Sequence, residues 1–235
     1  MPTQPAWRFR RTAPYTSSIM TWQLIDSAQD ADTHLELYAK DGIFMIRANG
    51  LELMNGFAHG SETAFGRIAG ALAPNAAPNI LIAGLGLGYT LAAASEALGA
   101  RGTITVAEFS PAVIAWFERH VRASVLPQMP KNVTIREIDA IAHLKSGPSY
   151  DLILLDIDNG PQPFTRASNA TLYDRAGLQL LRNALNESGS VLLWSGFQSV
   201  EFEATAREAG FSVTRRVVAN GPRTDLDHHI YVLHA

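Results

Sequence analysis

The chain has 235 residues and a 47% hydrophobic share, enough to bury the core of one large domain or of a domain with a small appendage. A formal net charge of −3 with only 17% charged residues gives no basic face for nucleic acid, so no nucleic-acid partner is expected. The absence of cysteine excludes disulfides, thiolate nucleophiles and thiolate metal sites.

The elements follow in chain order. Residues 1–18, with three prolines, read as an irregular arm. Arg8, Arg10 and Arg11 lack the apolar run that a secretory signal places after its basic segment. Residues 19–56 read as a small β-meander of three strands. His34 to Tyr38 alternates, Asp41-Gly42 turns, Ile43 to Arg47 follows, Asn49-Gly50 turns again, and Leu51 to Met54 closes the sheet. Such a sheet needs a surface to pack on. Ser61 is placed to cap a helix running to Leu72, with Glu62 in its first turn.

From Asn79 strands and helices alternate, so residues 57–235 read as a second unit. The strands are Asn79–Ala83, Thr103–Glu108, Val133–Ile138, Tyr150–Asp156 and Gly189–Trp194. The helices are Tyr89–Leu98, one starting at Pro111 after Ser110 and running to Ser124, a short one near Ile141, Leu172–Leu185, and Ser199–Ala209 ended by Gly210. Phe211–Val218 and His229–Leu233 close the chain as strands joined by a turn at Gly221-Pro222. Near-continuous apolar strands imply a parallel sheet covered on both faces. The last pair has no helix between its strands and is expected to be antiparallel. The fold class is α/β, a doubly wound Rossmann-like sheet with a small N-terminal meander. The most apolar stretch, Ile80 to Ala94, is broken by three glycines and is too short to span a bilayer, which points to a cytoplasmic protein without a membrane partner. The low charge fits a homodimer face or simply an Ala- and Gly-rich composition.

In such sheets the ligand lies beyond the carboxyl ends of the strands. Asn79–Ala83 runs straight into Gly84-Leu85-Gly86-Leu87-Gly88 and then a helix. Glycines serve a turn that a β-carbon forbids and let the backbone approach a ligand. Glu108, followed by Phe109, ends the next strand about twenty residues on, where a ribose diol would lie. Asp139, followed by Ala140, ends the third. The bare alternative is a tight strand-to-helix turn with no ligand. The glycine spacing is not that of a dinucleotide site, and Tyr89 is bulky where close helix packing would want glycine. A cofactor without a pyrophosphate, S-adenosylmethionine, fits better.

At these residues the chain resembles the spermidine synthase-like branch of class I S-adenosylmethionine-dependent enzymes, from about Leu35 to Gly210. Gly50 to Met54 looks like that family's small β-domain, and His59-Gly60-Ser61-Glu62 like the lead into its first helix. Ile80 to Gly88 resembles its glycine loop, Val106-Ala107-Glu108 the strand whose acid holds the ribose hydroxyls, and Ile138-Asp139-Ala140 the "GDA" segment at the adenine. Tyr150 to Asp156 resembles "YDVIIVD", whose last Asp faces the reacting centre, and Leu172-Tyr173 resembles an "LF" segment. The resemblance thus implies cofactor binding by Gly84, Leu85, Gly86, Gly88, Glu108, Phe109, Asp139, Ala140 and Asp156.

The departures bear on the reaction. The family's GGGDGG loop carries an Asp that pairs with the amine of decarboxylated S-adenosylmethionine; here Leu87 stands there. The "DSTDPxGP" loop becomes the shorter Asp156-Ile157-Asp158-Asn159-Gly160-Pro161, and the tyrosine of "EFY" aligns with Leu178. Methyl transfer from intact S-adenosylmethionine to a small-molecule acceptor is therefore expected. The alternatives are aminopropyl transfer from the decarboxylated cofactor and a non-catalytic cofactor-binding protein.

For the chemistry, Asp156 and then Asp158 are the candidates to orient an acceptor and take its proton. Asp156 could instead cap the next segment or touch the cofactor amine. Asn159, Tyr173, Trp194 and His59 are candidate substrate-binding residues. Trp194 could equally be a core aromatic, and His59 a structural hydrogen bonder. Asn169 could line the pocket or cap a helix. His228 and His229 are adjacent on a strand and point to opposite faces, so no metal site is expected.

Overall fold

The computed structural model describes residues 21–30, 32–74, 77–157, 159–161, 167–221 and 227–235, without the side chains of 167 and 168. The predicted arm lies outside these residues. The N-terminal sheet has four antiparallel strands in sequential order: β1 (Gln23–Asp30), β2 (Thr33–Lys40), β3 (Ile43–Ala48) and β4 (Leu51–Asn55). The predicted three become four because β1, QLIDSAQD, has no apolar alternation and is exposed along most of its length. Its place comes from pairing with β2, a tertiary effect.

α1 (Gly60–Leu72) leads to the second sheet. Then come β5 (Asn79–Ala83), α2 (Tyr89–Leu98), β6 (Thr103–Glu108), α3 (Pro111–Trp116), a π-helical turn (Phe117–Val121) and α4 (Arg122–Val125). β7 (Val133–Glu137), α5 (Ala140–Lys145) and β8 (Tyr150–Leu155) follow, then a 3-10 turn (Ala167–Leu172), α6 (Arg175–Asn183), β9 (Leu185–Ser195), α7 (Val200–Glu208), β10 (Ser212–Ala219) and β11 (Asp227–His234).

The seven strands run in the order β10-β11-β9-β8-β5-β6-β7. From β7 to β9 all neighbours are parallel, and β11 is antiparallel to both β9 and β10, as expected. The chain starts at β5, winds outward to β7, and returns to β8 on the other side of β5. This makes the β5–β8 boundary the switch point at which ligand clefts form. β5 shows why the sheet needs helices on both faces. Ile80 and Ile82 enter one core cluster, while Leu81 and Ala83 enter the other.

The small sheet packs on the first of these clusters. Leu35, Leu37, Ile46 and Ala48 share it with Phe65, Val113 and Trp116. Trp116 Nε1 also donates to Asp26 Oδ2 at 2.9 Å, which ties β1 to α3. Among the described residues no helix is long and apolar enough to cross a membrane.

Three helix expectations change. Ser61 lies inside α1 rather than capping it, and His59 occupies the cap position without a side-chain bond. The single helix expected from Pro111 to Ser124 contains a π-helical turn. The expected Leu172–Leu185 helix begins at Arg175, because Asp174 accepts from the Gly177 N–H at 2.8 Å and the chain before it forms a 3-10 turn. An Asp three residues ahead of a free helical N–H outcompetes the apolar Leu172-Tyr173 pair as the start signal.

Candidate functional site

A cavity of about 1120 Å³, counted with its open mouth, lies over the carboxyl ends of β5, β6, β8 and β9 and under the N-terminal sheet. The glycine loop forms its floor. Gly84 has φ +97°, and a β-carbon there would stand 2.1 Å from the Asp156 carbonyl oxygen. Only glycine brings the ends of β5 and β8 this close. Gly88 has φ +82° and lies under the Phe117 ring, so the π-helical turn seats an aromatic against the loop.

Glu108 organises this loop. Its Oε2 accepts from the Leu85 N–H and its Oε1 from the Ser110 N–H, both at 2.8 Å. Burial raises its pKa, and the backbone N–H bonds oppose the rise. Asp139 caps α5, taking the Ala142 N–H at 2.9 Å, and also lines the cavity with Ala140 and Phe109. Two carboxyl groups at consecutive strand ends thus face one space, acceptors suited to a diol and to an exocyclic amine.

Asp156 sits at the end of β8, its N–H bonded to the Ala83 carbonyl at 2.9 Å. Its pKa is pushed up to about 7, first by burial and then by the negative charges of Glu62 and Glu108, against a bond from the Thr90 hydroxyl. Glu62, from the first turn of α1, is buried, lines the same cavity, and has its pKa raised by burial. Asp30 adds an acid from the N-terminal sheet. The lining therefore holds Asp30, Glu62, Glu108, Asp139 and Asp156, and among the described residues no lysine, arginine or histidine. Such a wall favours a cationic ligand.

Trp194 closes the far side. Its indole N–H is buried without a partner among the described residues, and the residue lines the cavity near the end of β9. Asn169 is buried and lines the cavity too. Met54 roofs the loop, its sulfur taking the Leu87 N–H at 3.1 Å.

Several expected residues stand elsewhere. His59 is stacked on Tyr89 at 3.9 Å, in a separate groove beside α1 and α2, with its Nδ1 3.1 Å from Thr63 Oγ1. The Tyr173 hydroxyl donates to the Ile157 carbonyl at 3.3 Å and its ring packs on Phe202, behind the cavity wall. The Asn159 carbonyl accepts from the Gly196 N–H at 3.4 Å and Asn159 does not line the cavity. Leu85 and Gly88 shape the loop without lining the cavity. Asp158 lies outside the described residues. Leu87 is wholly buried in the core, so its side chain belongs to the packing rather than to the cavity.

Sequence reasoning places Glu62 as a first-turn acid in a segment resembling the lead into a helix, without assigning it to the site. An acid in an otherwise small and apolar helix start, G-S-E-T-A-F-G, is the available signal. Asp30 carries none, since β1 itself is not foreseen. Among the described residues no group of three or more His, Cys, Asp or Glu is arranged to hold a metal ion.

No protein-family model matches the chain, and no curated protein does. Solved structures match over most of it. A spermidine synthase in complex with the transition-state analogue AdoDATO superposes with a TM-score of 0.70 at 14% identity, covering 92% of this chain and 73% of that one. The spermidine synthase of Thermotoga maritima gives 0.71 at 15% identity over 92% and 74%. Human methyltransferase-like protein 13 in complex with SAH gives 0.57 at 16% identity over 74% and 81%. The chain has the fold these proteins share, with the small N-terminal sheet included in the broader matches.

Proposed function

We propose that the protein transfers the methyl group of S-adenosylmethionine to a small-molecule nucleophile. The observation that carries the cofactor is the floor of the cavity: a glycine loop locked by Glu108, with Asp139 on the next strand end. Its similarity to structures holding AdoDATO and SAH supports the same ligand class. Glu108 would hold the ribose hydroxyls, while Asp139, Ala140 and Phe109 would border the adenine. The bound cofactor supplies an electrophilic carbon on a sulfonium. Asp156 faces that positive charge and, with a pKa of about 7, is suited to accept a nucleophile's proton near neutral pH. Holding nucleophile and carbon in line then falls to the cavity walls, Trp194 and Asn169 among them.

Methyl rather than aminopropyl transfer is favoured by the sequence resemblance, which sets Leu87 at the position of that family's amine-pairing Asp; Leu87 is buried in the core, so the loop offers no carboxylate to an ammonium. Aminopropyl transfer keeps one specific observation in its favour. The described lining has five acids and no cationic side chain to meet a methionine carboxylate, which suits a decarboxylated cofactor. Calorimetric titration with both cofactors tests the choice. Tighter binding of S-adenosylmethionine supports methyl transfer, and tighter binding of the decarboxylated form overturns it.

A further inference from the structure

Behind Glu62 lies a buried polar cluster that neither the cofactor nor the acceptor role uses. Ser61 has no exposed surface. Its Oγ lies 2.5 Å from Glu62 Oε2, 2.9 Å from His228 Nδ1 and 3.1 Å from Asn220 Oδ1. The cluster joins the first turn of α1 to β11 and the end of β10. A buried hydroxyl is costly unless it is bonded, and this one is held by groups from distant parts of the chain. At one end Glu62 faces the cavity. At the other, the His228 imidazole is only partly buried, its ring edge-on to Trp194 at 4.9 Å.

Proton counting fixes how these groups act together. A serine hydroxyl has one proton to give and two lone pairs to receive. With Glu62 ionised, Ser61 donates to Glu62, so Ser61 receives from His228 and the imidazole proton sits on Nδ1. With Glu62 protonated, Glu62 donates to Ser61, which then donates to His228 Nδ1 or to Asn220. Moving from the second state to the first passes one proton along the chain and leaves Ser61 unchanged. His228 then holds a proton on each nitrogen and releases the Nε2 proton to water.

We propose that Glu62, Ser61 and His228 form a proton path from the cavity to the surface, with Glu62 passing on the proton that Asp156 accepts from a nucleophile across the same cavity. The source of that proton rests on the transfer reading above; the path itself is a property of this chain. Burial favours the neutral form at both ends. Burial raises Glu62 against the Ser61 bond. Burial and then His229 lower His228, with Asp227 opposing. The other ionisable groups facing the path are Asp156 across the cavity and Tyr89 on α2, which both feel the charge on Glu62.

The test is imidazole nitrogen NMR of the full chain against pH, for the parent protein, Glu62→Gln and Ser61→Ala, each with and without S-adenosylhomocysteine. In the parent, neutral His228 should carry its proton on Nδ1 above the Glu62 titration. Glu62→Gln cannot form the carboxylate that draws the Ser61 proton, so neutral His228 should shift towards the Nε2 tautomer. Ser61→Ala should move the neutral proton to Nε2. A parent His228 protonated on Nε2 throughout, or one tautomer shared by all three proteins, overturns the path. Glu62→Gln keeps the side-chain shape, so the test survives if Ser61→Ala misfolds. Binding heats for S-adenosylhomocysteine on the same samples judge the cofactor reading separately. No binding refutes that reading whatever His228 does, and an uncoupled His228 refutes the path whatever the ligand does.

Discussion

Replacing Asp156 by Asn tests the electrostatics of the cavity most directly. The carboxyl goes from an ordinary value of 3.8 to about 7 on folding. The folded pKa is raised, so the stability Asp156 contributes is full below about pH 4 and is lost as pH climbs through about 7. At about 1.4 kcal/mol per pH unit this interval amounts to ~4 kcal/mol. Asp156 is partly exposed at the cavity wall, and solvent there reduces the figure to about 2 kcal/mol. An asparagine side chain cannot ionise, so Asp156→Asn should be more stable than the parent at pH 8 by that amount. For a chain of this size the difference is roughly 4–8 °C in melting temperature. At pH 4 the two proteins should melt together. Thermal unfolding at half-unit steps between pH 4 and 8.5 measures this. A gap that is absent at pH 8, or constant across the range, refutes the reasoning. The same substitution bears on ligands. S-adenosylmethionine carries a positive sulfur and S-adenosylhomocysteine does not. The parent's preference for the former should strengthen as pH rises through 7, and Asp156→Asn should weaken it by about tenfold at pH 8.

Gly84→Ala forces a β-carbon against the Asp156 carbonyl at a positive φ, and should cost about 2–4 kcal/mol in chemical denaturation. Glu108→Gln leaves one oxygen for two backbone N–H groups, so calorimetry should show S-adenosylhomocysteine binding weakened by at least about tenfold with the fold retained. Leu87→Asp places a carboxylate in the core rather than in the cavity. It should lower the melting temperature by roughly 5 °C or more and give no gain in affinity for decarboxylated S-adenosylmethionine.

The second sheet is legible because its strands are apolar on both faces. β5 and β8 have no alternation to misread, and the glycine loop between β5 and α2 marks a ligand end. The two acids beside that loop are legible for the same reason: Glu108 is the last residue of β6 and Asp139 stands two residues after β7, so their place along the chain is their place in the cleft. Groups brought in from outside this repeat are not legible. Glu62 reaches the cavity because α1 packs beside α2, and Asp30 reaches it because β1 pairs with β2. Neither contact leaves a local pattern. His59 and Tyr173 show the converse: each is near the cleft in sequence, but its ring packs on a neighbour outside the cavity lining. His59 meets Tyr89, and Tyr173 meets Phe202.

The charge of the cavity connects these placements. Asp30, Glu62, Glu108, Asp139 and Asp156 come from separate elements, and no cationic side chain among the described residues balances them. Burial holds three of them, Glu62, Glu108 and Asp156, towards the neutral form, and the charges of Glu62 and Glu108 add to this at Asp156. Folding therefore stores an unfavourable concentration of carboxyls that only a proton or a cation relieves. A sulfonium ligand supplies the cation and lets these groups ionise, so its binding should release protons. Once the sulfonium becomes a neutral thioether, that relief ends. The site then takes protons back, and the leftover sulfur compound is held less firmly than the ligand that entered. If the proposed transfer runs here, the same acids that attract a sulfonium cofactor would favour the departure of its neutral product, at a pH near the value of about 7 that Asp156 is given by its surroundings.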